Sequence, residues 1–499
     1  MNTKLLKQKI LDLAIRGKLT QQLKSDGTAA DLLTQISDER RKTRDERKGT
    51  RSKKSGVILS QPKGKKSKDP GTIIPLDKSE APFEIPANWE WVRLGDVCEL
   101  LNGDRSSNYP NKNEYVVCGV AWINTGHIRP DGFLDEKTMN YITEEKYNSL
   151  GNGKIHKFDL VYCLRGATFG KVARVEPFEK GAIASSLMII RPILSQMRDF
   201  LYRCLKTDFA MNQLRKFDNG SAQPNLAAKD VSRYFVPLPP LTEQQRIVEK
   251  VQEAFAEIDS IENNKELLKT HIKQTRQKIL DHAIHGKLVP QNKSDEPASV
   301  LLERITRDNP HYEKMEDEPF EIPENWVWCR LGNICDKLID GDHNPPKGLN
   351  CTTEYIMLSS RNINDNDIVD LENVRYLSKD MFEEENLRTK LEKGDILFTS
   401  VGSLGRSCVF SGDGKYCFQR SVSVIHTNIY NKYLKYFFDS NYYQKYIVEN
   451  ATGTAQLGFY LEQMRKSFIA IPPLNEQSRI VAKIEELFST LDQMERNLV

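Results

Sequence analysis

The sequence predicts an α+β molecule: two mixed α/β domains separated by long antiparallel coiled-coil helices, pseudo-two-fold symmetric with its termini close together. Three observations predict it. Three pairs of repeated segments occur in the same order, an apolar stripe of helical period runs from Thr242 to about Ile284, and two blocks of short β-like runs lie between the helical stretches.

The repeat comes first because it sets the architecture. QKILDLAIRGKL, starting at Gln8, recurs as QKILDHAIHGKL from Gln277 with 10 of 12 positions identical at an offset of 269. PFEIPANWEWVRLG from Pro82 recurs as PFEIPENWVWCRLG from Pro319, 11 of 14 identical at an offset of 237. PPLTEQQRIVEKVQEAF from Pro239 recurs as PPLNEQSRIVAKIEELF from Pro472, 11 of 17 identical at an offset of 233. The fall from 269 to 237 places 32 extra residues in the first copy. Running the matches outward pairs Met1 with Thr270 and Val499 with Glu266, so only Leu267, Leu268 and Lys269 lack a counterpart. Joining the termini would therefore give a nearly closed two-fold cycle.

Taken in order, residues 1–45 form an N-terminal helical region, with Gly17 at a helix stop. Residues 46–80 are a basic linker carrying the insertion. The stretch from 40 to 68 has thirteen basic and two acidic residues and no apolar periodicity, which suits either a solvated linker or an arm that touches phosphates. Residues 81–240 form the first α/β domain, with β-like runs DLVYCLRG and AIASSLMIIRP and a helical stretch from Arg198 to Arg215. Residues 241–310 are the central helical spacer, with Thr242 as the expected N-cap and Gly286 as its stop. Residues 318–473 form the second domain, with DILFTSVG, RSVSVIHT and a helical stretch from Tyr430 to Glu449. Residues 474–499, with Asn475 as expected N-cap, form a C-terminal helix that pairs with the spacer.

Composition excludes more than it selects. A net charge of +3 with 28% charged residues means that any nucleic-acid surface is local. Nine cysteines without a CxxC pair fit free thiols in a reducing compartment, and no apolar run is long enough to span a membrane, so a cytoplasmic location is expected. GATFGKV at Gly166 is one residue short of a phosphate loop and has Val172 where a metal-binding hydroxyl belongs. HNPPKG at His343 carries Lys347 where a methyltransferase motif needs an aromatic to stack on a flipped base. HExxH and GxSxG are absent, so the chain is expected to be non-enzymatic, with no metal and no cofactor of its own.

Four polar loops at matching positions in both copies point instead to duplex DNA. They are Asn102 to Arg105 against Asp340 to Asn344, and Asn124, Thr125, His127 and Arg129 against Arg361, Asn362 and Asn364. The others are Arg165 and Lys171 against Ser400, Ser403 and Arg406, and Asn219, Ser221 and Gln223 against Thr452, Thr454 and Gln456. Arginine and lysine bond guanine edges, asparagine and glutamine adenine edges, and hydroxyls phosphates. The candidate DNA-binding set is therefore Arg105, Asn124, Thr125, His127, Arg165, Lys171, Asn219, Ser221, Gln223, His343, Asn344, Arg361, Asn362, Ser403, Arg406, Thr454 and Gln456, with Arg165, Lys171, Arg361 and Arg406 foremost.

With its doubled PFEIPxNWxWxRLG, PPLxEQxRIV and QKILDxAIxGKL segments, and with DLVYCLRGATFGKV and GDILFTSVGSLGR, the chain resembles the specificity subunit of type I restriction-modification systems. The resemblance implies two target-recognition domains, each reading one half of a split asymmetric DNA target. It further implies two modification subunits docked on the helical regions, with restriction subunits added for cleavage. S-adenosylmethionine, ATP and magnesium would then belong to those partners. One departure is that Val401 and Leu404 stand where the first domain has Arg165 and Phe169, with one residue deleted. The competing readings are a self-contained DNA methyltransferase or nuclease and a helical scaffold that binds no DNA.

Overall fold

A computed structural model describes residues 2–49, 73–165, 169–216, 226–307, 318–364, 366–453 and 456–498. The chain divides into two compact units, Met1–Asn263 and Asn264–Val499. In the first, α1 (Thr3–Ile15) and α2 (Ala29–Gly49) precede strands β1 (Glu90–Arg93), β2 (Cys98–Asn102), β3 (Val120–Ile123), β4 (Asn140–Ile142), β5 (Leu160–Cys163), β6 (Val172–Arg174), β7 (Gly181–Ile183), β8 (Leu187–Pro192) and β9 (Phe235–Leu238). Helices α3 (Leu94–Val97), α4 (Glu144–Ser149), α5 (Arg198–Leu205), α6 (Asp208–Lys216) and α7 (Ala228–Val231) lie between them. The 44-residue helix α8 (Leu241–Ile284) contains the division between the units.

The second unit continues with α9 (Ala298–Thr306), β10 (Val327–Arg330), β11 (Cys335–Asp340), β12 (Tyr355–Leu358), β13 (Arg375–Tyr376), α10 (Lys379–Thr389), β14 (Ile396–Thr399), β15 (Ser407–Val409), β16 (Lys415–Phe418) and β17 (Val422–Thr427). It ends with α11 (Asn431–Asp439), α12 (Asn441–Asn450), α13 (Leu461–Lys466), β18 (Phe468–Ile471) and α14 (Leu474–Asn497).

The sheets of the two units match strand for strand among the described residues. Sheet orders β1-β9, β2-β8-β5-β6 and β4-β3-β7 in the first become β10-β18, β11-β17-β14-β15 and β13-β12-β16 in the second. Each four-stranded sheet is antiparallel, whereas β3 pairs β7, and β12 pairs β16, in parallel. Side chains alternate across a strand, and both faces of the central strands are covered. Leu160 and Tyr162 pack toward Phe200 and Leu201 of α5, while Val161 and Cys163 pack toward Ile123 and Ile183. In the second unit Ile396 and Phe398 face Leu434 and Phe437 of α11, and Leu397 faces Leu358 and Phe418. Two-sided burial is why these strands read as unbroken apolar runs, each large side chain contributing about 1.5–3 kcal/mol.

Each unit closes on an antiparallel helix seam built from the repeated segments. In the first unit Lys7 pairs with Asp259 and Glu262, Gln22 donates to Glu243 at 2.5 Å, and Asp26 pairs with Arg246 at 2.6 Å, so the chain ascends along α1 as it descends along α8. In the second unit Arg276 pairs with Asp492 and Glu495, Gln291 donates to Glu476 at 2.6 Å, and Asp295 pairs with Arg479 at 2.7 Å. Every member of the second set is the repeat counterpart of a member of the first. Gly17 and Gly286, at φ +66° and +68°, turn the chain after the helix in the same way, each with a proline ring against its Cα (Pro86 and Pro323).

Several expected boundaries are corrected. The stretch from Arg198 to Arg215 is two helices, because Thr207 accepts the Ala210 N–H at 3.1 Å and starts α6 afresh. Ser440 does the same for α12, accepting the Tyr443 N–H at 3.3 Å, so the stretch from Tyr430 to Glu449 is also divided. AIASSLMIIRP is likewise two strands, β7 and β8. Neither Thr242 nor Asn475 caps its helix: α8 and α14 begin at Leu241 and Leu474, and Pro473, at φ −48°, occupies the cap position of α14. Proline presets the helical φ, and the Thr242 hydroxyl turns instead to Asp26 Oδ1 at 3.1 Å. Basic residues from 40 to 49 are helical, continuing α2 to Gly49; the rest of the basic stretch lies outside the described residues.

Candidate nucleic-acid interface

Strand direction gathers the ends that carry the loops among the described residues. β2 and β5 are both antiparallel to β8 between them, so they run the same way and end at the same edge. There Leu164 donates its N–H to Ser186 O at 2.9 Å, Ala184 to Ile123 O at 2.8 Å and Leu226 to Leu164 O at 3.1 Å. The ends of β2, β3 and β5 and the chain rejoining after residue 225 thus meet around residues 184–187. The second unit repeats the junction: Gly341 donates to Val422 O at 3.0 Å, Gln419 to Leu358 O at 2.9 Å, Ser400 to Ser421 O at 2.9 Å and Phe459 to Ser400 O at 2.8 Å. Gly103 and Gly341 permit the approach, since a Cβ would stand 2.4 Å from Ala184 O or 2.2 Å from Phe418 O.

In the first unit Arg105 is exposed beside the buried Asp104. The Asp104 carboxylate accepts N–H groups from Ser106 at 2.7 Å, Gly151 at 2.6 Å and Asn152 at 3.2 Å. Burial works against its charge, but these bonds outweigh burial and hold its pKa below the ordinary carboxylate value. Asn124 caps a short turn by accepting the Gly126 N–H at 2.9 Å, and Thr125 is half-buried on that turn.

His127 departs from its expected role. It is buried, its Nδ1 accepts the Asn124 N–H at 3.1 Å, and burial pushes its pKa down. Asn362 holds the same position in the second unit: it is buried, accepts the Ser359 N–H at 3.0 Å, and donates to Asp370 O at 3.1 Å. Both side chains brace their turns from inside rather than presenting an edge outward, the reason being that each satisfies an otherwise orphaned backbone N–H.

Arg165 is half-buried, and its Nε has no partner among the described residues. Lys171 and Arg406 are exposed, and the described residues supply neither with an ion pair or hydrogen bond through its side chain. Arg361 is exposed and donates to Asn373 O. His343 lies 2.7 Å from Asp340 Oδ2, and Asn344 is exposed. Ser403 is half-buried, its carbonyl accepting the Thr399 hydroxyl. Gln456 is exposed; a Cβ on Gly402 would stand 3.5 Å from its Nε2 and 3.2 Å from Ser360 Oγ, so three loops converge there. Asn219, Ser221, Gln223 and Thr454 lie outside the described residues.

Two features escaped the sequence reading. Arg388 binds Asp340 twice, to Oδ1 at 2.6 Å and to its carbonyl at 2.9 Å. Burial opposes the Asp340 charge, yet Arg388 and His343 together keep the carboxyl below its usual range. Arg388 sits on α10, far from Asp340 along the chain, and no local pattern signals the contact. The second is a cationic neighbourhood around Lys171: the pKa of Lys206 is lowered first by burial and then by Arg203, Lys171 and Arg174. Among the described residues no group of three His, Cys, Asp or Glu is placed to hold a metal, and no helix is long and apolar enough to cross a membrane. The exposed chemistry of both loop clusters is that of hydrogen-bond donors around cationic side chains, suited to phosphates and base edges.

The sequence pattern of the type I restriction modification DNA specificity domain matches residues 86–270 and 323–498. The specificity subunits of the type I restriction enzymes EcoEI and EcoAI from Escherichia coli are each 24% identical to the chain, over 99% and 98% of it and 90% of their own lengths. The EcoKI specificity subunit of E. coli K12 is 23% identical over 77% of the chain and 84% of its own. Among solved structures, the HsdS subunit from Thermoanaerobacter tengcongensis superposes with a TM-score of 0.53 at 20% identity, over 84% of this chain and 94% of its own. A chain from a study of complex assembly and conformational transition in the type I R-M system gives a TM-score of 0.56 at 20% identity over the same shares. Two matched domain patterns that together cover more than half of the chain place it in the family of type I restriction-modification DNA specificity subunits.

Proposed function

We propose that each unit reads one half of a bipartite, asymmetric duplex target, and that α1, α8 and α14 dock two modification subunits and set the unread gap between the halves. In this reading the whole chain is a pseudo-two-fold adaptor with a coiled-coil spacer and closely spaced termini. It performs no catalysis; S-adenosylmethionine, ATP and magnesium act in the modification and restriction subunits, in the cytoplasm. The observation that carries it is the meeting of the same strand ends among the described residues of both units, on a framework that repeats strand by strand. Loops with unlike side chains on like frameworks are what two readers of unlike targets require.

Methylation mapping in a host carrying the complete system tests it. The expected motif has two specified halves around an unspecified gap, and a continuous motif would overturn the reading. Replacing residues 81–238 with the corresponding domain of a relative changes one half only. Methylation or cleavage by the purified chain alone would restore the enzyme alternative.

A further inference from the structure

The two units bind different half-sites by the reading above, on which this inference rests, so a side chain that both units place identically cannot be what distinguishes the halves. Lys171 and Arg406 are such a pair. The β5–β6 hairpin closes with Cys163 donating to Lys171 O at 2.8 Å and Gly170 to Cys163 O at 3.0 Å; the β14–β15 hairpin closes with Thr399 donating to Arg406 O at 2.9 Å and Gly405 to Thr399 O at 3.0 Å. Gly170 and Gly405 have φ of +79° and +80°. The hairpins rest on equivalent helices: a Cβ on Gly170 would meet Leu214 of α6 at 2.8 Å, and one on Gly405 would meet Gln444 and Ile447 of α12 at 2.7 and 2.9 Å. Each cation directly follows its glycine, is exposed, and has no side-chain partner among the described residues.

Other cations of the clusters occur in one unit only. Arg165 has Val401 as its counterpart: Leu164 and Ser400, one residue earlier, accept the equivalent N–H groups of Leu226 and Phe459. Val401 is buried and bridges Gly458. Conversely Arg361 lies on the turn Ser360–Asn362, at the place that Gly126 holds in the turn Thr125–His127.

We infer that Lys171 and Arg406 are phosphate anchors that grip the DNA backbone at equivalent places on the two half-sites, while Arg165 and Arg361 are specificity residues, each for its own half. A phosphate contact is sequence-independent and so is conserved between two different readers, whereas a base-edge contact must differ. Lysine and arginine each neutralise one phosphate and so contribute alike to the salt-dependent part of binding, although only arginine adds a bidentate fork.

The test uses the full chain assembled with its modification subunits. Lys171→Gln and Arg406→Gln each weaken cognate and unrelated duplex alike, by about tenfold, and lower the slope of log affinity against log salt by about 1. The methylated motif stays the same, and Lys171→Arg and Arg406→Lys restore the wild-type salt slope. Arg165→Gln relaxes the motif in one half and Arg361→Gln in the other, while affinity for unrelated duplex is retained. The assignment is overturned if either anchor variant alters the motif or leaves the salt slope intact, or if Arg165→Gln or Arg361→Gln weakens all duplexes equally. Failure of the two-reader reading itself looks different: the wild-type complex would then show no two-part motif at all.

Discussion

At Gly103 a methyl group would stand 2.4 Å from the carbonyl oxygen of Ala184, and at Gly341 it would stand 2.2 Å from that of Phe418. Both obstacles are backbone, which cannot rotate away, so Gly103→Ala and Gly341→Ala are each expected to cost about 1–3 kcal/mol. A denaturant melt reads this directly, and an unshifted midpoint would show that the strand ends do not meet. Asp104 gives a second prediction at this scale. Its folded pKa is depressed, so its contribution to stability is complete above the unfolded carboxylate value near 3.8 and is lost as pH falls through the folded value. Asp104→Asn therefore flattens the acid limb of the stability curve below about pH 4, while the neutral limb drops by the loss of a charged acceptor. His127 and Asn362 mark where sequence reasoning runs out: a polar loop residue that braces its own turn has the same letters as one that reaches outward, and only burial separates them.

Elements were easier to read than their edges. The apolar stripe of α8 and the glycines after α1 and α8 were legible because helical period and positive φ leave strong marks. The breaks at Thr207 and Ser440 were not, since the apolar faces of α5 and α6, and of α11 and α12, continue across them. Ser440 is buried, accepts the Tyr443 N–H at 3.3 Å and donates to Phe437 O at 2.6 Å, so Ser440→Ala should destabilise by about 1 kcal/mol and fray the start of α12 in hydrogen exchange. At the seam of the first unit Glu243 is fully buried and receives Trp89 Nε1 at 2.8 Å and the Gln22 amide at 2.5 Å. Glu243→Ala strands the buried Trp89 Nε1 at about 1–3 kcal/mol, whereas the exposed Gln22 amide keeps Gly17 O at 3.2 Å. A melting temperature equal to wild type would refute that role.

For the whole molecule, separate cores carry a consequence for cooperativity. One large apolar cluster includes Leu94, Val236 and Ile247 and another Leu331, Ile471 and Ile480, with no described residue common to both. Leu94→Ala should cost about 2–5 kcal/mol and speed amide exchange within Met1–Asn263, leaving α11 and α12 protected as before. Equal loss of protection in both units would mean that they unfold as one. The duplication was fully visible in the letters; that it also repeats nine strand positions, their order and their pairing directions was not, because the domains between the repeated segments share little sequence.

The seam contacts bear on how such a chain changes over time. Lys7 with Asp259 and Arg276 with Asp492, Asp26 with Arg246 and Asp295 with Arg479, are made wholly by the segments that repeat. A genetic crossover within PFEIPxNWxWxRLG and another within PPLxEQxRIV would import a complete foreign loop set and leave every one of those contacts standing. Under the proposed two-reader function, inheritance by such blocks would let a pair of crossovers exchange one reader entire, with folding already provided for.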